Sequence, residues 1–459
     1  MELEKILAQV PDYKAFLTVD EMDAHTLALP ERYPGVCSVF KAGESQKGRP
    51  IYVLKIGRGS RNAFIMGCPH PNEPIGAMML EFLTDLLCRD EALRQELDFT
   101  WYIVKTADPD GVKLNEGWFG GPFTLYNYAR HFYRPASNQQ VEWTFPLDYK
   151  TLHFHTPLPE TAALMQVIRD IKPSFLYSLH NSAFGGAYWY ISEKHDGLIA
   201  GMPKAAERQR IPLSLGEPEM PCCKVYSNAV FEFPGTPLIY DYYEQMTGQD
   251  PAPMLNSGAS SLDYATRQGP CFGLVCEMPY FLSPNVMNTA PSDINRRDAV
   301  LRSCEMIEAL YQRMKPLTDA LCPLLPERDP YRLALEERMA TYAPNLLAQK
   351  NFALQNPDFD QPATFAQAFD NLQAMPFYHL LGVGMIAAGA EQVMAAKPAA
   401  RQEMEAVLAK AEQMLREGCA ALEENTAFEA VAIRRLVCVQ LESGLRAAAE
   451  VARGHVAQA

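Results

Sequence analysis

A histidine and a glutamate stand three positions apart in a short turn of this 459-residue chain. The turn is His70-Pro71-Asn72-Glu73, and it follows the apolar run Ala63-Phe64-Ile65-Met66. An imidazole nitrogen and a carboxylate oxygen are both ligands that zinc accepts in proteins. The pair alone is weak evidence for a metal site, because such pairs also occur in ordinary polar turns.

The residues around this turn predict how it is held. Pro74 suits a first helical position, and the residues after it repeat with the period of a helix that has one apolar face. The strand, the turn and the helix would therefore follow one another, with His70 and Glu73 at the carboxyl end of the strand. Open α/β sheets bind their ligands at that edge. The apolar helix positions are Ile75, Met78, Met79, Phe82, Leu83, Leu86 and Leu87.

Two more polar residues follow predicted strands. His180 ends the apolar segment Phe175-Leu176-Tyr177-Ser178-Leu179, and Glu277 follows Cys271-Phe272-Gly273-Leu274-Val275-Cys276. A catalytic zinc needs three protein ligands and one open position, and His180 could join the His/Glu pair as the third ligand. Glu277 could act as the base that takes a proton from water. Partial burial would raise its pKa toward the working range.

The long segment 112–157 has no regular period and predicts a binding loop. It contains Arg130 and Arg134, either of which could supply the cation for a developing oxyanion. It also contains His153 and His155, whose spacing could chelate a metal, although two solvated loop histidines are more common. Taken singly, every one of these residues has a more common structural explanation.

Six short motifs in a fixed order resemble the zinc carboxypeptidases, the M14 peptidase family. The resemblance runs from about residue 45 to about residue 282 of the printed sequence. The motifs are His70-Pro71-Asn72-Glu73, Asp108-Pro109-Asp110-Gly111, Pro159-Glu160, Leu179-His180, Ala259-Ser260-Ser261-Leu262-Asp263-Tyr264, and Glu277.

This resemblance implies a fold, a cofactor and a set of roles. The fold is an α/β domain with a mixed, largely parallel sheet flanked by helices. One zinc ion per chain would be held by His70, Glu73 and His180, and Glu277 would be the general base and acid. Arg134 is preferred over Arg130 as the oxyanion cation, because the family's arginine follows an aromatic residue, as in Phe132-Tyr133-Arg134.

The chain departs from the family pattern at two places. The family holds the terminal carboxylate of its substrate with an Asn-Arg pair, whereas the corresponding segment here is Val141-Glu142-Trp143-Thr144-Phe145-Pro146. Leu255 stands near the place of the family's mobile tyrosine. Without a bidentate cation, a free carboxylate lacks its best partner. The candidate substrate-binding residues are Arg130, Asn138, Asn181 and Tyr264, with Arg267 as a further substitute cation.

The composition of the chain indicates which binding partners and which cellular compartment to expect. The net charge of −14 and pI near 5.2 argue against nucleic acid or an anionic membrane as a partner. The apolar run 380–390 is too short for a membrane span, and the start lacks the pattern of a signal peptide. Eleven scattered cysteines are typical of a reduced, cytoplasmic protein. The oligomeric state is not predicted.

The chain divides by pattern into four parts. Residues 1–35 form an N-terminal helical segment, 36–316 the catalytic domain, 317–330 a proline-rich linker, and 331–459 an alanine-rich helical domain, which could cap or flank the site. The predicted function is hydrolysis of an amide bond in a peptide or peptide-like substrate. A deacylase of N-acyl amino acids, similar to the desuccinylases and aspartoacylases, is the alternative, and a non-catalytic binding module is the third hypothesis.

Overall fold

A ten-stranded mixed sheet forms the centre of the structure. In the computed structural model of the chain, residues 1–454 are described. The sheet contains every strand of the described residues except two short antiparallel pairs, β5 with β6 and β12 with β13. The strands in chain order are β1 (Cys37–Glu44), β2 (Pro50–Ile56), β3 (Arg61–Met66), β4 (Phe99–Val104), β5 (Leu147–Tyr149), β6 (Leu152–Phe154), β7 (Phe175–Phe184), β8 (Tyr188–Ile191), β9 (Val225–Ser227), β10 (Val230–Glu232), β11 (Phe272–Leu282), β12 (Pro291–Asn295), β13 (Pro362–Thr364) and β14 (Glu429–Ala430).

Helices cover both faces of this sheet and make up most of the chain beyond residue 296. They are α1 (Leu3–Ala8), α2 (Val19–Arg32), α3 (Ile75–Arg89), α4 (Glu91–Leu97), α5 (Pro109–Asn115), α6 (Leu125–Arg130), α7 (Pro159–Ile171), α8 (Asp196–Arg208), α9 (Thr236–Thr247), α10 (Ala252–Leu255), α11 (Ser261–Thr266), α12 (Arg296–Leu321), α13 (Pro330–Gln355), α14 (Phe365–Phe369), α15 (Met375–Ala396), α16 (Arg401–Asn425) and α17 (Ile433–Ala452).

The sheet order is β1-β2-β4-β3-β7-β11-β8-β10-β9, with β14 paired to the end of β11. The central neighbours β4, β3, β7 and β11 run parallel, and the outer pairs include antiparallel ones. One apolar cluster packs α3, α8 and α17 on one face, and a second packs α7 and α11 on the other. The predicted fold class, a mixed sheet flanked by helices with a helical C-terminal region, is confirmed.

The two central strands are longer than the sequence predicts. Every residue of β7 and β11 is buried, because helices cover both faces of a parallel sheet. The sequence predicts that the strands end at His180 and before Glu277. In the structure both strands continue, and Phe281 of β11 still pairs with Phe184 of β7. His180 and Glu277 therefore lie within their strands, since the pairing of β7 and β11 continues beyond both residues.

The chain beyond residue 316 also differs from its predicted division. The predicted linker 317–330 begins as helix, because α12 continues through Leu321 with Pro316 inside it. The helices that follow separate into two locations. Helices α13 to α16, residues 330–425, lie over one edge of the sheet and are called the helical cap below. Helix α17 instead returns to the sheet, where the Tyr177 hydroxyl donates to the Gln440 carbonyl at 3.0 Å.

One helical stretch of the described chain passes the length and composition test for a membrane span. It is Phe365–Ala396, with 32 residues, and 61% of its most apolar window is buried inside the fold. The sequence predicts no stretch of that length because the apolar run 380–390 is short, whereas the helix extends it on both sides. Burial of this extent is also typical of a core helix, so the test is weak evidence for a membrane segment.

Candidate active site

Three metal-ligand side chains meet at the carboxyl edge of the parallel strands. His70 and Glu73 lie in the turn between β3 and α3, and His180 lies on β7, two residues beyond the last residue paired with β3. The Nδ1 atoms of His70 and His180 lie 3.2 and 3.1 Å from the two carboxylate oxygens of Glu73. All three residues are buried, and their ligand atoms lie within 4.8 Å of one another.

This donor set fits a zinc ion. Two imidazoles and one carboxylate are the ligands of one common catalytic zinc site, and each must offer an unprotonated atom. Burial, reinforced by the Arg134 charge, lowers the pKa of His70 to about 3, so its ring is neutral. Burial alone would raise the pKa of Glu73, but neighbouring groups that include the Arg134 guanidinium hold it well below its usual range. A neutral imidazole and an ionised carboxylate are therefore in place to bind a cation.

The outer nitrogens of the two histidines have different surroundings. The Nε2 atom of His180 lies 3.0 Å from the Ser178 hydroxyl, and such a partner fixes the ring orientation of a metal ligand. The Nε2 atom of His70 is buried and has no hydrogen-bond partner within the described part of the chain. The His180 ring is consequently the better oriented of the two.

Glu277 lies beside the three ligands on the neighbouring strand. It is directly opposite His180 in the parallel register of β7 and β11, and its carboxylate lies 3.8 Å from His180 Nδ1. Burial raises the pKa of Glu277 well above its usual range, and the Glu73 carboxylate adds to the effect. A carboxyl group with a raised pKa is suited to accept a proton and return it.

Arg134 brings a cation to the same place. Its guanidinium donates to a Glu73 oxygen at 2.7 Å and to the Asn72 amide oxygen at 3.3 Å. The loop that carries it is held by Asn115 at the end of α5, whose side chain bonds the backbone N–H and carbonyl of Tyr133 at 3.0 and 2.9 Å. Helix α5 begins at the predicted turn motif, where Asp108 accepts the Gly111 N–H. The turn thus starts a helix that positions the arginine.

A buried carboxyl group, that of Glu142, contacts the strand that carries His180. Glu142 accepts the backbone N–H and the hydroxyl of Ser261 at 3.3 and 2.8 Å, and lies 3.5 Å from the Ser178 hydroxyl. Burial raises the pKa of Glu142 to about 7. This residue lies in the segment that lacks the family's Asn-Arg pair, so that segment here supports the metal-ligand strand and offers no cation.

A cavity of about 540 Å³ lies over these residues. Its floor is formed at the carboxyl edge of the parallel strands by residues that include His70, Glu73, Arg134 and Glu277. Its opposite wall comes from the helical cap, which includes α13 and α15, and part of its rim comes from the segment 214–221. The cap is fixed over the edge, because the Tyr378 hydroxyl of α15 accepts the Ala183 N–H of β7 at 2.9 Å.

The structure separates some predicted substrate residues from this cavity. Arg130, Asn138 and Tyr264 do not line it. The Arg130 guanidinium forms ion pairs with Glu391 and Glu412 of the cap, and the Tyr264 ring packs against Phe145. These contacts explain why neither residue is available to a ligand in the cavity.

Asn181 lines the cavity, but other groups use its side chain. Its amide oxygen accepts the Ile75 N–H and the Tyr280 hydroxyl, both at 3.1 Å. Its backbone N–H donates to Glu73 at 3.2 Å. Asn181 therefore positions the ligand turn and the start of α3. The substitute cation Arg267 donates to two backbone carbonyls, of Asp263 and Pro146, away from the cavity.

The prediction from the sequence did not include the residues of the helical cap that line the cavity. Arg338 on α13 and Tyr378 and His379 on α15 line the wall opposite the candidate zinc site. They lie in helices with no recognisable motif, and α15 is apolar nearly all round, so its polar residues give no distinct pattern. The only available signal was that such residues are rare on an apolar helix.

A second cluster of metal-ligand types lies on the surface hairpin of β5 and β6. The Asp148 carboxylate lies 2.8 Å from His153 Nδ1 and 2.9 Å from His155 Nε2. All three residues are exposed. Both histidines thus contact the same exposed carboxylate oxygen. This arrangement agrees with the interpretation of His153 and His155 as solvated surface residues.

Comparison with known proteins shows which protein family the chain resembles. Residues 22–217 match the Peptidase_M14 family model, described as zinc carboxypeptidase. Over these residues the chain is similar to the zinc carboxypeptidases. The predicted resemblance is confirmed, and the match includes the three candidate zinc ligands and Arg134. It ends before Glu277 and the helical cap.

Curated relatives match shorter parts of the chain. A carboxypeptidase B of Astacus astacus is 28% identical over 105 residues, covering 22% of this chain and 35% of the relative. A carboxypeptidase B of Helicoverpa zea is 30% identical over 112 residues, covering 23% and 26%. A carboxypeptidase D of Anas platyrhynchos is 22% identical over 231 residues, covering 46% and 16%. The chain therefore spans about a third or less of the length of these relatives.

Solved structures with a distant likeness are also carboxypeptidases. The carboxypeptidase A of Helicoverpa armigera has a TM-score of 0.38 and 17% identity, over 61% of this chain and 69% of its own. A metallo-carboxypeptidase of Burkholderia cenocepacia has a TM-score of 0.33 and 16% identity, over 57% and 60%.

Proposed function

We propose that the protein is a zinc-dependent hydrolase of the carboxypeptidase type that cleaves an amide bond in a peptide or peptide-like substrate. The observation that carries this proposal is that His70, Glu73 and His180 meet beside Glu277 and Arg134. All of these residues except His180 line one cavity. Zinc held by the three ligands would polarise the substrate carbonyl and lower the pKa of a water molecule.

The protein's own residues then have distinct tasks. Glu277, whose pKa burial raises, accepts a proton from the attacking water and returns it to the leaving amine. Arg134 has five N–H donors in total, of which the two on one terminal nitrogen face the Glu73 and Asn72 oxygens. Its other donors are free to face the oxygen on which negative charge develops.

The cavity limits the size of the substrate. A volume of about 540 Å³ is in the range of small-molecule sites. The helical cap covers the sheet edge from which the catalytic groups project, so a small peptide or an acyl amino acid fits the proposal better than a folded protein. This agrees with the hypothesis that the helical region caps the site.

A deacylase of N-acyl amino acids is the second candidate function. It is favoured by the absence of an Asn-Arg pair in the segment 141–146 and by Glu142 in its place, buried and bonded to Ser261. A panel of short peptides and N-acyl amino acids separates the two. Turnover of the acyl amino acids alone would select the deacylase, and turnover of peptides with a free C-terminus would select the carboxypeptidase.

The test of the mechanism is Glu277→Gln in the full-length, zinc-loaded protein. Removing the proton carrier should lower kcat by about a hundredfold or more while zinc content stays near one per chain. The matched control is Glu336→Gln, on the exposed outer side of α13, which should retain both activity and zinc. Hydrolysis unchanged in Glu277→Gln would refute the mechanism. No zinc in the wild type, even after reconstitution, would favour the non-catalytic binding module.

We also propose a cytoplasmic location and no nucleic-acid or membrane partner. Eleven cysteines without a disulfide among the described residues support a reducing compartment. The net charge of −14 argues against polyanionic partners. Cell fractionation with an antibody against the chain tests the location, and recovery in the membrane or secreted fraction would contradict it.

A further inference from the structure

Arg338 is a cation in the cavity wall that faces the candidate zinc site. It lies on α13 of the helical cap and lines the cavity. No carboxylate oxygen lies within 4.0 Å of its guanidinium among residues 1–454, in contrast to Arg130 and Arg134. A partly buried charge without a counter-ion is costly, so an unpaired arginine at this place favours an anionic ligand.

Neighbouring rings hold the Arg338 side chain. Its guanidinium lies 6.0 Å from the centre of the Phe132 ring and interacts with the Tyr311 hydroxyl. Tyr311 is itself fixed, because its ring stacks on Tyr342 at 4.2 Å and its hydroxyl lies 3.1 Å from His379 Nδ1. The guanidinium is thus oriented by groups without formal charge, and its remaining N–H donors are available to the cavity.

The neutral state of His379 strengthens this arrangement. Burial, with the Arg338 charge next in size, lowers the pKa of His379 to about 3. The ring therefore carries no positive charge at neutral pH and does not compete for an anion. Arg338 is consequently the charged group at this part of the wall.

Two acidic residues on the cavity rim, Glu217 and Glu219, have partners of their own. Glu217 pairs with Arg296 through both carboxylate oxygens at 2.9 and 2.5 Å. Glu219 accepts the hydroxyls of Tyr188 and Tyr190 at 3.0 and 3.1 Å. None of them lies in ion-pair range of Arg338, so none neutralises it.

We propose that Arg338 forms a subsite that binds the free carboxylate of the substrate, and that the Phe132 ring lies beside this subsite. The proposal rests on the proposed function and names its substrate class, a peptide or acyl amino acid that carries a carboxylate. Phe132 precedes Tyr133-Arg134 in the chain, so one short loop carries both the ring at this subsite and the candidate oxyanion cation. The cap would thereby supply the cation that the segment 141–146 lacks.

Binding of two small probes tests the subsite without any turnover. The probes are 3-phenylpropionate and 3-phenyl-1-propanol, which share a ring and differ in the carboxylate, and neither contains a bond for the enzyme to hydrolyse. Calorimetry on the zinc-loaded, full-length protein should show that wild type prefers the acid. Arg338→Gln should bind the acid about tenfold more weakly, the loss of one or two charge-assisted hydrogen bonds, and the alcohol equally well.

Two further variants exclude trivial explanations. Arg338→Lys should recover part of the affinity for the acid, because it restores the charge without the planar fork. Arg313→Gln, which removes an exposed arginine paired with Glu417, should bind both probes as wild type does. Equal loss of acid and alcohol in Arg338→Gln, or no loss of either, would overturn the proposal.

Kinetics provide a second readout that separates this proposal from the proposed function. For a substrate with a free carboxylate, Arg338→Gln should raise KM about tenfold and change kcat less than twofold. For the corresponding amide, neither constant should change. Arg338-dependent binding of the acid in a protein without hydrolytic activity would retain the subsite and refute the enzyme, and a loss confined to kcat would refute the subsite.

Discussion

Gly384→Ala should separate the helical cap from the loop that carries Arg134. Gly384 lies on α15 where this helix crosses the backbone of α6, and a Cβ atom there would lie 1.8 Å from the Ala129 carbonyl oxygen. That oxygen belongs to the backbone, so it cannot rotate away as a side-chain end does. The helix or the loop must move by more than an ångström to admit the methyl group.

The size of the effect follows from two opposing terms. Alanine in place of glycine favours a helix by about 1 kcal/mol, whereas overpacking at a rigid contact costs about 1–3 kcal/mol and occasionally more. The displacement would also strain the nearby ion pairs of Arg130 with Glu391 and Glu412, which adds a cost of about 1 kcal/mol. We therefore expect a net loss of about 1–3 kcal/mol.

The matched control is Gly389→Ala on the same helix. There the new Cβ would meet the Leu321 Cδ2 and Leu325 Cδ1 atoms at 3.0 and 3.4 Å. These are the ends of flexible side chains, which can shift by a few tenths of an ångström. The same gain in helix propensity should therefore leave this variant within about 1 kcal/mol of wild type.

Differential scanning calorimetry measures the comparison. Unfolding entropy is about 2 cal/mol/K per residue, so for a chain of this length each kcal/mol shifts Tm by about 1 °C. Gly384→Ala should unfold about 1–3 °C below wild type, and Gly389→Ala within about 1 °C of it. Equal Tm values for the two variants would refute the close approach of α15 to α6.

Two further outcomes follow from buried polar groups near the site. Ser178→Ala removes the partner of His180 Nε2 and should weaken zinc binding about 10–100-fold, measured by competition with a chelator; unchanged affinity would show that the ring needs no such support. Burial raises the pKa of Asp108 to about 7, so the folded protein keeps a proton that the unfolded chain releases near pH 4, and stability falls as pH rises from about 4 to 7. At 1.36 kcal/mol per pKa unit the loss reaches up to about 4 kcal/mol; the Tm of Asp108→Asn should vary less with pH over this window, and parallel Tm curves would contradict it.

The residues on the cavity floor were predictable because local patterns specify them. The turn with His70 and Glu73 follows an apolar strand and precedes an amphipathic helix, and His180 and Glu277 each follow apolar segments of strand length. Parallel strands that point the same way bring such residues to one edge. The choice of Arg134 over Arg130 depended on the preceding aromatic residue, and the structure places only Arg134 in the cavity.

The opposite wall was not predictable, because it depends on packing between distant parts of the chain. Arg338 and His379 come from two helices that meet only in the folded protein. The predicted lengths of β7 and β11 were too short for a related reason. A polar side chain can stay inside a strand when a neighbouring loop supplies its hydrogen-bond partner, and local sequence does not show that contact. Arg130 was assigned to substrate because its partners, Glu391 and Glu412, lie more than 250 residues away.

The return of α17 to the sheet has a consequence for how the chain is made. This helix covers β7 and β11 with a nearly continuous buried face, and its Gln440 side chain donates to the carbonyls of His180 and Cys276. A ribosome completes every central strand well before it reaches α17, so one apolar face of the sheet stays open until then. Nascent chains and fragments that stop before residue 433 should therefore attract chaperones or aggregate, and a premature stop codon there would remove the whole protein rather than its cap.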